Sequence, residues 1–216
     1  MPKYKYILFD LDGTITDSFE AITKSFVYAL EHYGIEVEDI STLNQVIGPP
    51  LREAFMSMFG FNEKTAIEAV EKYRERYQVH FLNEHKIYDG IRELLQNLKN
   101  EGFLLYLATA KPIVLAEKLM NHFDLAKYFE FLGGASLDKG RDNKNAVLDH
   151  VFEICDIDKS RAVMIGDRHH DMEGAQYIGI DAMGVSYGFG SPEELMPYNP
   201  VFIAESPDEI YDFLTK

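Results

Sequence analysis

Asp10 and Asp12 lie two positions apart at the end of an apolar run near the start of the chain, and Gly13 follows them. Because side chains alternate along a strand, both carboxylates can point to the same side, and the glycine lets the chain turn sharply. Two carboxylates in one small space are costly unless a cation or a shared proton compensates. The pair therefore indicates either a site for a hard divalent ion with one carboxylate free to attack an electrophile, or a solvated turn.

Complementary groups follow later apolar runs. Thr109 offers a hydroxyl donor, and Lys144 offers a compact cation at the start of a helical pattern. Asp167 and Asp171 supply further carboxylates for a metal ion. Phosphoryl transfer needs a nucleophile, a cation and donors around the equatorial oxygens. These residues therefore indicate phosphate chemistry, provided that the fold brings them together.

Apolar runs and helical patterns alternate along most of the chain. Strands are expected at residues 6–9, 103–108, 162–165 and 182–185, with weaker candidates at 129–132 and 201–204, and helices at 89–100, at 112–122 and after Pro207. The runs are apolar almost continuously, as in parallel strands covered on both faces. The sequence predicts an α/β fold with a doubly wound parallel sheet, in which ligands bind beyond the carboxyl ends of the strands.

Residues 16–85 interrupt this alternation, because they carry helical spacing and almost no strand signal. The spacing predicts a first helix capped by Asp17 or Ser18, and Asn62 is expected to cap a longer one. We therefore expect two domains: an α/β core of residues 1–15 plus 86–216, and a helical insert of residues 16–85.

Composition narrows the class of protein. The formal net charge of -15 disfavours a nucleic acid polymer or an acidic membrane surface as a partner. Cys155 is the single cysteine, which fits a reducing compartment, and no apolar run is long enough for a signal peptide or a membrane span. We expect a cytoplasmic protein whose oligomeric state the sequence does not decide.

Four segments carry a family resemblance: DLDGT from Asp10, Thr109 after an apolar run, Lys144, and GDRHHD ending at Asp171. In this order they resemble the motifs of the haloacid dehalogenase superfamily, and the phosphoglycolate phosphatase-like and nucleotidase-like branch in particular. The resemblance covers essentially the whole chain. It implies a Rossmann-like core, and residues 16–85 look like the family's type 1 helical cap.

The resemblance implies a role for each matching residue. Asp10 attacks phosphorus and forms an aspartyl phosphate, and Asp12 protonates the leaving oxygen and then activates water. Thr109 and Lys144 bind the transferring phosphoryl group. The implied cofactor is Mg²⁺, held by Asp10, the backbone carbonyl of Asp12, Asp167 and, nearby or through water, Asp171.

Two assignments have rivals. Relatives often carry a proline after the motif lysine, whereas Asn145 follows Lys144, so Lys139 is a competing candidate for the phosphate-binding lysine. Arg52 lies where related caps lower a loop toward substrate and is equally well read as an exposed helix residue.

His169 and His170 could form a transition-metal site, but the oxygen-rich motif around them favours surface or supporting groups. The aromatic residues of the insert recur at helical spacing and are expected to form a core rather than a base-stacking platform.

The implied activity is that of a magnesium-dependent phosphomonoester hydrolase acting on a small phosphorylated metabolite such as phosphoglycolate. A 5'-nucleotidase acting on nucleoside monophosphates is the runner-up, and a β-phosphoglucomutase-like phosphotransferase shares the same core. A receiver-like phospho-aspartate switch is disfavoured, because both first acids follow one strand and a further acidic motif comes late. Continued turnover distinguishes an enzyme from such a switch.

Overall fold

The computed structural model describes residues 2–136 and 140–216. Within these residues the strands are β1 (Tyr6–Phe9), β2 (Thr16–Asp17), β3 (Lys86–Ile87), β4 (Leu104–Pro112), β5 (Phe129–Ala135), β6 (Ala162–Gly166), β7 (Asp181–Val185) and β8 (Phe202–Ala204). The helices are α1 (Phe19–Glu31), α2 (Leu51–Phe59), α3 (Glu63–Glu84), α4 (Ile91–Asn100), α5 (Ile113–His122), α6 (Lys144–Ile154), α7 (His169–Ile178), α8 (Pro192–Leu195) and α9 (Pro207–Thr215).

Six strands form one parallel sheet in the order β5-β4-β1-β6-β7-β8. β1 lies in the middle, and Ile7, Leu8 and Phe9 are completely buried. Every residue of β6, beside it, is also buried. Continuous burial explains the unbroken apolar runs, since helices flank the sheet. The predicted doubly wound α/β sheet is confirmed.

The chain divides into two compact units. One contains the residues up to Asp17 together with Ile87–Lys216 and carries the six-stranded sheet. The other, Ser18–Lys86, contains α1, α2 and α3 and is called the helical unit below. Among the described residues, no helix is both long and apolar enough to cross a membrane.

Aromatic side chains form the core of the helical unit. The Phe26 ring centroid lies 4.6 Å from that of Phe55 and 5.2 Å from that of Tyr73. The rings of Tyr73, Tyr77 and Phe81 follow one another along α3, with centroids 5.2 and 5.4 Å apart. These rings are therefore occupied in packing α1, α2 and α3 together.

Of the two helix caps predicted from the sequence, the one on α3 is present and the one on α1 is not. The Asn62 side chain accepts from the backbone N–H of Thr65 at 3.0 Å, so it caps α3. Ser18 holds the N-cap position of α1, but its side chain makes no cap hydrogen bond. The backbone of Ser18 has φ -102° and ψ 5°, rather than the extended conformation from which a cap side chain reaches the first turn.

Candidate active site

The first strand delivers Asp10 to the carboxyl edge of the sheet. Its backbone N–H donates to the carbonyl oxygen of Ile165 on β6 at 2.9 Å, which continues the parallel pairing by one residue. The side chain of Asp10 is 13% exposed. Asp10 therefore presents a nearly enclosed carboxylate at the edge where ligands bind in parallel sheets.

The Lys144 ammonium joins three elements at this edge. Its Nζ lies 2.8 Å from Oδ1 of Asp10 and 2.7 Å from Oδ1 of Asp171, and it donates to the carbonyl oxygen of Ala108 on β4 at 2.7 Å. Burial by itself would lower the pKa of Lys144, but the charges of the two carboxylates outweigh it and raise the pKa to about 12. Lys144 is thus a fixed cation beside Asp10.

The start of α6 places this lysine. Asn143 adopts an extended backbone and its side chain accepts from the N–H of Ala146 at 3.0 Å, which caps the helix one residue before Lys144. Because Lys144 occupies the first helical position, its side chain extends back toward β1 and β4. The rival candidate, Lys139, lies outside the described residues.

Asp171 supports the site from the first turn of α7. Its Oδ2 accepts from the backbone N–H of Arg168 at 3.2 Å, while Oδ1 contacts Lys144. Burial raises the pKa of Asp171 to about 6, although Lys144 opposes the shift. Since each Asp171 oxygen has a partner within the protein, Asp171 holds the Lys144 ammonium and the backbone of Arg168 in place.

Asp167 is completely buried at the end of β6. Its Oδ2 accepts from the backbone N–H of Phe189 at 2.8 Å, and the Thr14 hydroxyl lies 3.4 Å from its Oδ1. Burial, together with the charges of Asp171 and Asp10, raises the pKa of Asp167 well above its usual value. The ionised form of Asp167 is therefore unfavourable unless a cation binds beside it.

Glycines make room for this carboxylate. Gly13 has φ +88°, and a Cβ built there would lie 2.1 Å from Oδ2 of Asp167. A Cβ on Gly188 would lie 2.3 Å from the carbonyl oxygen of Gly13. The first-strand loop and the loop after β7 therefore close on Asp167 through backbone contacts that a side chain would prevent.

Asp12 pairs with a lysine that the sequence analysis missed. Nζ of Lys111, at the end of β4, lies 2.5 Å from Oδ2 of Asp12, with side chains 5% and 17% exposed. Thr109, two residues earlier, is also buried, and its hydroxyl accepts from the N–H of Lys111 at 3.2 Å. The order of a threonine and a lysine at the end of an apolar run is the one signal that could have indicated this pair.

The donor set fits a hard divalent cation. Asp10, Asp167 and Asp171 each offer a carboxylate oxygen, and the three oxygens lie within 4.8 Å of one another. Oxygen ligands with a strong negative charge suit magnesium rather than a thiolate- or imidazole-seeking metal. Asp10 is a better direct ligand than Asp171, because the contact of Asp10 with Lys144 involves its Oδ1, whereas Asp171 contacts Lys144 through Oδ1 and accepts a backbone N–H through Oδ2.

Arg52 lies in the first turn of α2, in the helical unit. Nη1 of its guanidinium lies 3.3 Å from Oε1 of Glu63, with both side chains exposed. An exposed pair of this kind contributes little to stability. Its role toward substrate stays a prediction.

Comparisons with known proteins identify the family to which the chain belongs. Residues 7–185 match the family model described as haloacid dehalogenase-like hydrolase. A 5'-nucleotidase from Pseudomonas aeruginosa is 44% identical over 198 residues, which are 92% of this chain and 90% of that protein.

Solved structures show the same similarity. The crystal structure of a predicted phosphatase from Clostridium acetobutylicum has a TM-score of 0.92 at 45% identity and covers 97% of each chain. The structure of protein tyrosine kinase A from Mycobacterium tuberculosis has a TM-score of 0.86 at 35% identity and covers 99% of each chain.

Proposed function

Because this chain belongs to the haloacid dehalogenase-like hydrolases and is a phosphatase of that family, we propose that it hydrolyses small phosphomonoesters with Mg²⁺ through a phosphoryl group carried on Asp10. The observation that carries the proposal is the Lys144 ammonium, held between Asp10 and Asp171 at 2.8 and 2.7 Å. A fixed cation beside a nearly enclosed carboxylate is suited to receive a phosphate dianion next to its nucleophile.

In the first step an oxygen of Asp10 attacks phosphorus, and the bond from phosphorus to the leaving oxygen breaks. Lys144 and the Thr109 hydroxyl bind the equatorial oxygens of the group in transfer. Because Oδ1 of Asp10 is fixed by Lys144, the carboxylate is oriented before substrate arrives.

Asp12 handles the proton. It gives a proton to the leaving oxygen in the first step and takes one from the attacking water in the second, after which inorganic phosphate leaves Asp10. Its partner Lys111 is held by the end of β4, so the Asp12 carboxylate has a defined orientation as well. Before the first step Lys111 turns from Asp12 toward an anionic group of the substrate, and Asp12 takes from solvent the proton that it then gives to the leaving oxygen.

Magnesium would be held by Asp10, Asp167 and the backbone carbonyl of Asp12, with Asp171 contributing its charge nearby. The ion would supply positive charge to the phosphoryl oxygens and reduce repulsion between the substrate and Asp10. The raised pKa of Asp167 supports this assignment, because buried neighbouring carboxylates disfavour ionisation unless a cation compensates.

The helical unit acts as the cap domain in this proposal. Its task is to exclude bulk water during the first step and to contact the leaving group. Arg52 is available for that contact, because the exposed pair that it forms with Glu63 is weak and easily exchanged for a substrate anion.

Nucleoside 5'-monophosphates are the substrates we place first. The sequence alone favoured phosphoglycolate, but the 5'-nucleotidase relative is 44% identical over most of both chains. The structures described as phosphoglycolate phosphatases are only 21% and 20% identical, which supports the fold and not the substrate. Phosphoglycolate therefore becomes the second choice.

A substrate panel tests the proposal. Purified protein would be assayed for phosphate release from the ribo- and deoxyribonucleoside 5'-monophosphates and phosphoglycolate, with Mg²⁺ or with EDTA, beside Asp10→Asn. We expect turnover that requires both Mg²⁺ and Asp10, highest on a nucleotide. Activity that Asp10→Asn retains would contradict the nucleophile, and preference for phosphoglycolate would reverse the order of substrates.

Transfer to an acceptor other than water is the second candidate. The 35% identity to protein tyrosine kinase A favours testing it. With γ-labelled ATP, or with a labelled phosphomonoester and a sugar phosphate acceptor, a hydrolase releases label as inorganic phosphate. Label recovered in a tyrosine residue or in a sugar bisphosphate would instead establish a phosphotransferase.

A further inference from the structure

The outer side of the first turn of α7 carries a second cluster of metal-ligating side chains. His169, His170 and Glu173 each offer one ligand atom, and these atoms lie within 4.8 Å of one another. The two imidazole rings have centroids 3.8 Å apart. None of these residues belongs to the Asp10, Asp167 and Asp171 cluster, so the group needs an explanation of its own.

A carboxylate from another element fixes the first imidazole. Nδ1 of His169 lies 2.6 Å from Oε1 of Glu194 on α8, and the same oxygen accepts from the backbone N–H of His169 at 2.9 Å. Nε of Arg168 also donates to it, at 2.9 Å. A proton on Nδ1 directed at a carboxylate leaves the Nε2 lone pair for a metal ion, which is the usual outer arrangement of a histidine ligand.

The carboxylate ligand is fixed in the same way. The Tyr198 hydroxyl donates to Oε1 of Glu173 at 2.8 Å, while Nδ1 of His170 lies 3.8 Å from Oε2. Glu173 thus has one oxygen oriented by a phenol and the other nearest the His170 imidazole. Two of the three potential ligands are therefore held by hydrogen bonds from outside their own helix, which sets this cluster apart from a chance grouping of surface residues.

We propose that His169, His170 and Glu173 form a binding site for a divalent transition-metal ion of the zinc class, separate from the magnesium site. Two imidazoles and one carboxylate suit zinc, copper or nickel, whereas magnesium prefers oxygen ligands alone. The three side chains are 30%, 37% and 48% exposed, so water can complete the coordination.

Two effects oppose cation binding here, and one of them is the positive charge of the Arg168 guanidinium, which lies 2.9 Å from Glu194. The amino end of α7 carries a partial positive charge, which disfavours a metal ion by roughly 0.3–1 kcal/mol at an exposed position. The Glu194 carboxylate offsets the charge of Arg168, with which it is paired, and the Glu173 carboxylate supplies a full negative charge against the partial charge of the helix end. The metal ion would also link α7 to the segment that carries Glu194 and Tyr198, through the ligands that those residues orient.

Zinc titration of the untagged full-length protein tests the site. Isothermal titration calorimetry with Zn²⁺ would be run in excess Mg²⁺, which keeps the carboxylate cluster occupied. We expect one zinc ion per chain, and an affinity at least tenfold lower in each of His169→Asn, His170→Asn and Glu173→Gln. His122→Asn, an exposed histidine on α5, is the matched control and should bind zinc as the wild type does.

Tyr198→Phe tests the outer arrangement, because loss of an orienting hydrogen bond typically lowers metal affinity about 10-fold or more. Electron paramagnetic resonance of the Cu²⁺-loaded protein supplies a second readout: nitrogen hyperfine structure from imidazole ligands, absent in the double variant His169→Asn/His170→Asn. Thermal unfolding without zinc checks that each variant folds.

Three results would overturn the proposal. They are no zinc binding to the wild type, zinc binding that the three ligand variants leave unaltered, and binding that depends on only one of the three residues.

Discussion

Lys144 is the residue on which the proposed chemistry depends most directly. It is the cation shared by Asp10 and Asp171, and its side chain is 5% exposed. A buried ammonium between two carboxylates is held in one place, so it needs no rearrangement when a phosphoryl group arrives. Two replacements of Lys144, one that keeps the charge and one that removes it, therefore distinguish the effect of its position from the effect of its charge.

Lys144→Arg keeps the charge but replaces a compact ammonium with a planar fork. We expect a fall in kcat/KM of about 10²-fold or more, as for loss of one transition-state donor, with thermal unfolding changed little. Lys144→Met removes the charge and should destabilise the fold as well, because two buried carboxylates lose their partner. The measurement is phosphate release with Mg²⁺ alongside thermal unfolding.

Lys159→Arg, at an exposed lysine, is the matched control and should leave both quantities unchanged. A Lys144→Arg enzyme with wild-type kcat/KM would contradict the assigned role.

Asp167 links the site to stability. A carboxyl group whose pKa is higher in the folded protein than in the unfolded chain does not lower the free energy of unfolding at low pH, where it is protonated in both states. It destabilises increasingly as the pH rises from the unfolded value through the folded one. The pKa of Asp167 is raised well above 3.8, so its ionisation opposes folding at neutral pH without metal.

Asp167→Asn should therefore be more stable than the wild type at pH 7 in EDTA, by on the order of 1 kcal/mol or about 2–4 °C in Tm. The difference should vanish toward pH 4, where the wild-type carboxyl is protonated. Added Mg²⁺ should raise the Tm of the wild type only. Calorimetry across this pH range measures the stability difference between the variant and the wild type. A variant that is less stable than the wild type at every pH, or that Mg²⁺ stabilises as much as the wild type, contradicts the account.

The site contact that the sequence did not predict, between Lys111 and Asp12, depends on local backbone geometry at the end of β4. Asp10, Lys144 and Asp171 could be expected at one edge, because each follows a recognisable strand or opens a helix. Lys111 reaches Asp12 where the register of β4 against β5 shifts between Thr109 and Pro112, and such a shift leaves no periodic trace in the sequence.

At the scale of elements, capped helix starts position the site. Asn143 caps α6 immediately before Lys144, and Asn62 caps α3 in the helical unit with the same geometry, 3.0 Å from side-chain oxygen to backbone nitrogen. Each cap satisfies an N–H of the first turn that would otherwise lack a partner. The two caps form a natural pair for comparison.

Asn143→Ala and Asn62→Ala should each destabilise the protein by about 1 kcal/mol. Only Asn143→Ala should also lower kcat/KM by several fold, because the frayed turn carries Lys144. Urea unfolding and steady-state kinetics give both quantities. Equal kinetic effects from the two variants would show that the α6 cap has no special part in positioning Lys144.

Strands marked by an unbroken apolar run could be predicted from the sequence, and several elements without such a run could not. The bounds of β1, β6 and β7 agree with expectation within one residue, because an unbroken apolar run marks a strand buried on both faces. The strands β2 and β3 have two residues each, too few for any period, and the nine-residue α2 begins after a Gly-Pro-Pro turn that reads as a loop.

At the scale of the whole molecule, the formal net charge of -15 opposes the approach of an anionic substrate. The cations at the site, Lys144 and Lys111, are both paired with carboxylates, so they do not reverse this field before Mg²⁺ binds. Salt should therefore speed the association of substrate with the protein, because it screens the repulsion between them.

Raising KCl from about 20 to 200 mM shortens the Debye length from about 20 Å to below 10 Å. At fixed saturating Mg²⁺ we expect kcat/KM for a nucleoside monophosphate to rise and kcat to stay nearly constant. The same series with an uncharged osmolyte controls for crowding. A steady fall in kcat/KM with salt would instead indicate that the local positive field of the site dominates the approach of substrate.

The central claim is that Asp10 carries the phosphoryl group, and trapping that intermediate tests it most directly. Protein quenched during turnover would be reduced with borohydride, which converts an aspartyl phosphate to homoserine, and then analysed by peptide mass spectrometry. The account predicts homoserine at position 10 in the wild type and none in Asp10→Asn. Homoserine at another aspartate, or rapid turnover with no modified aspartate at any time, would contradict it.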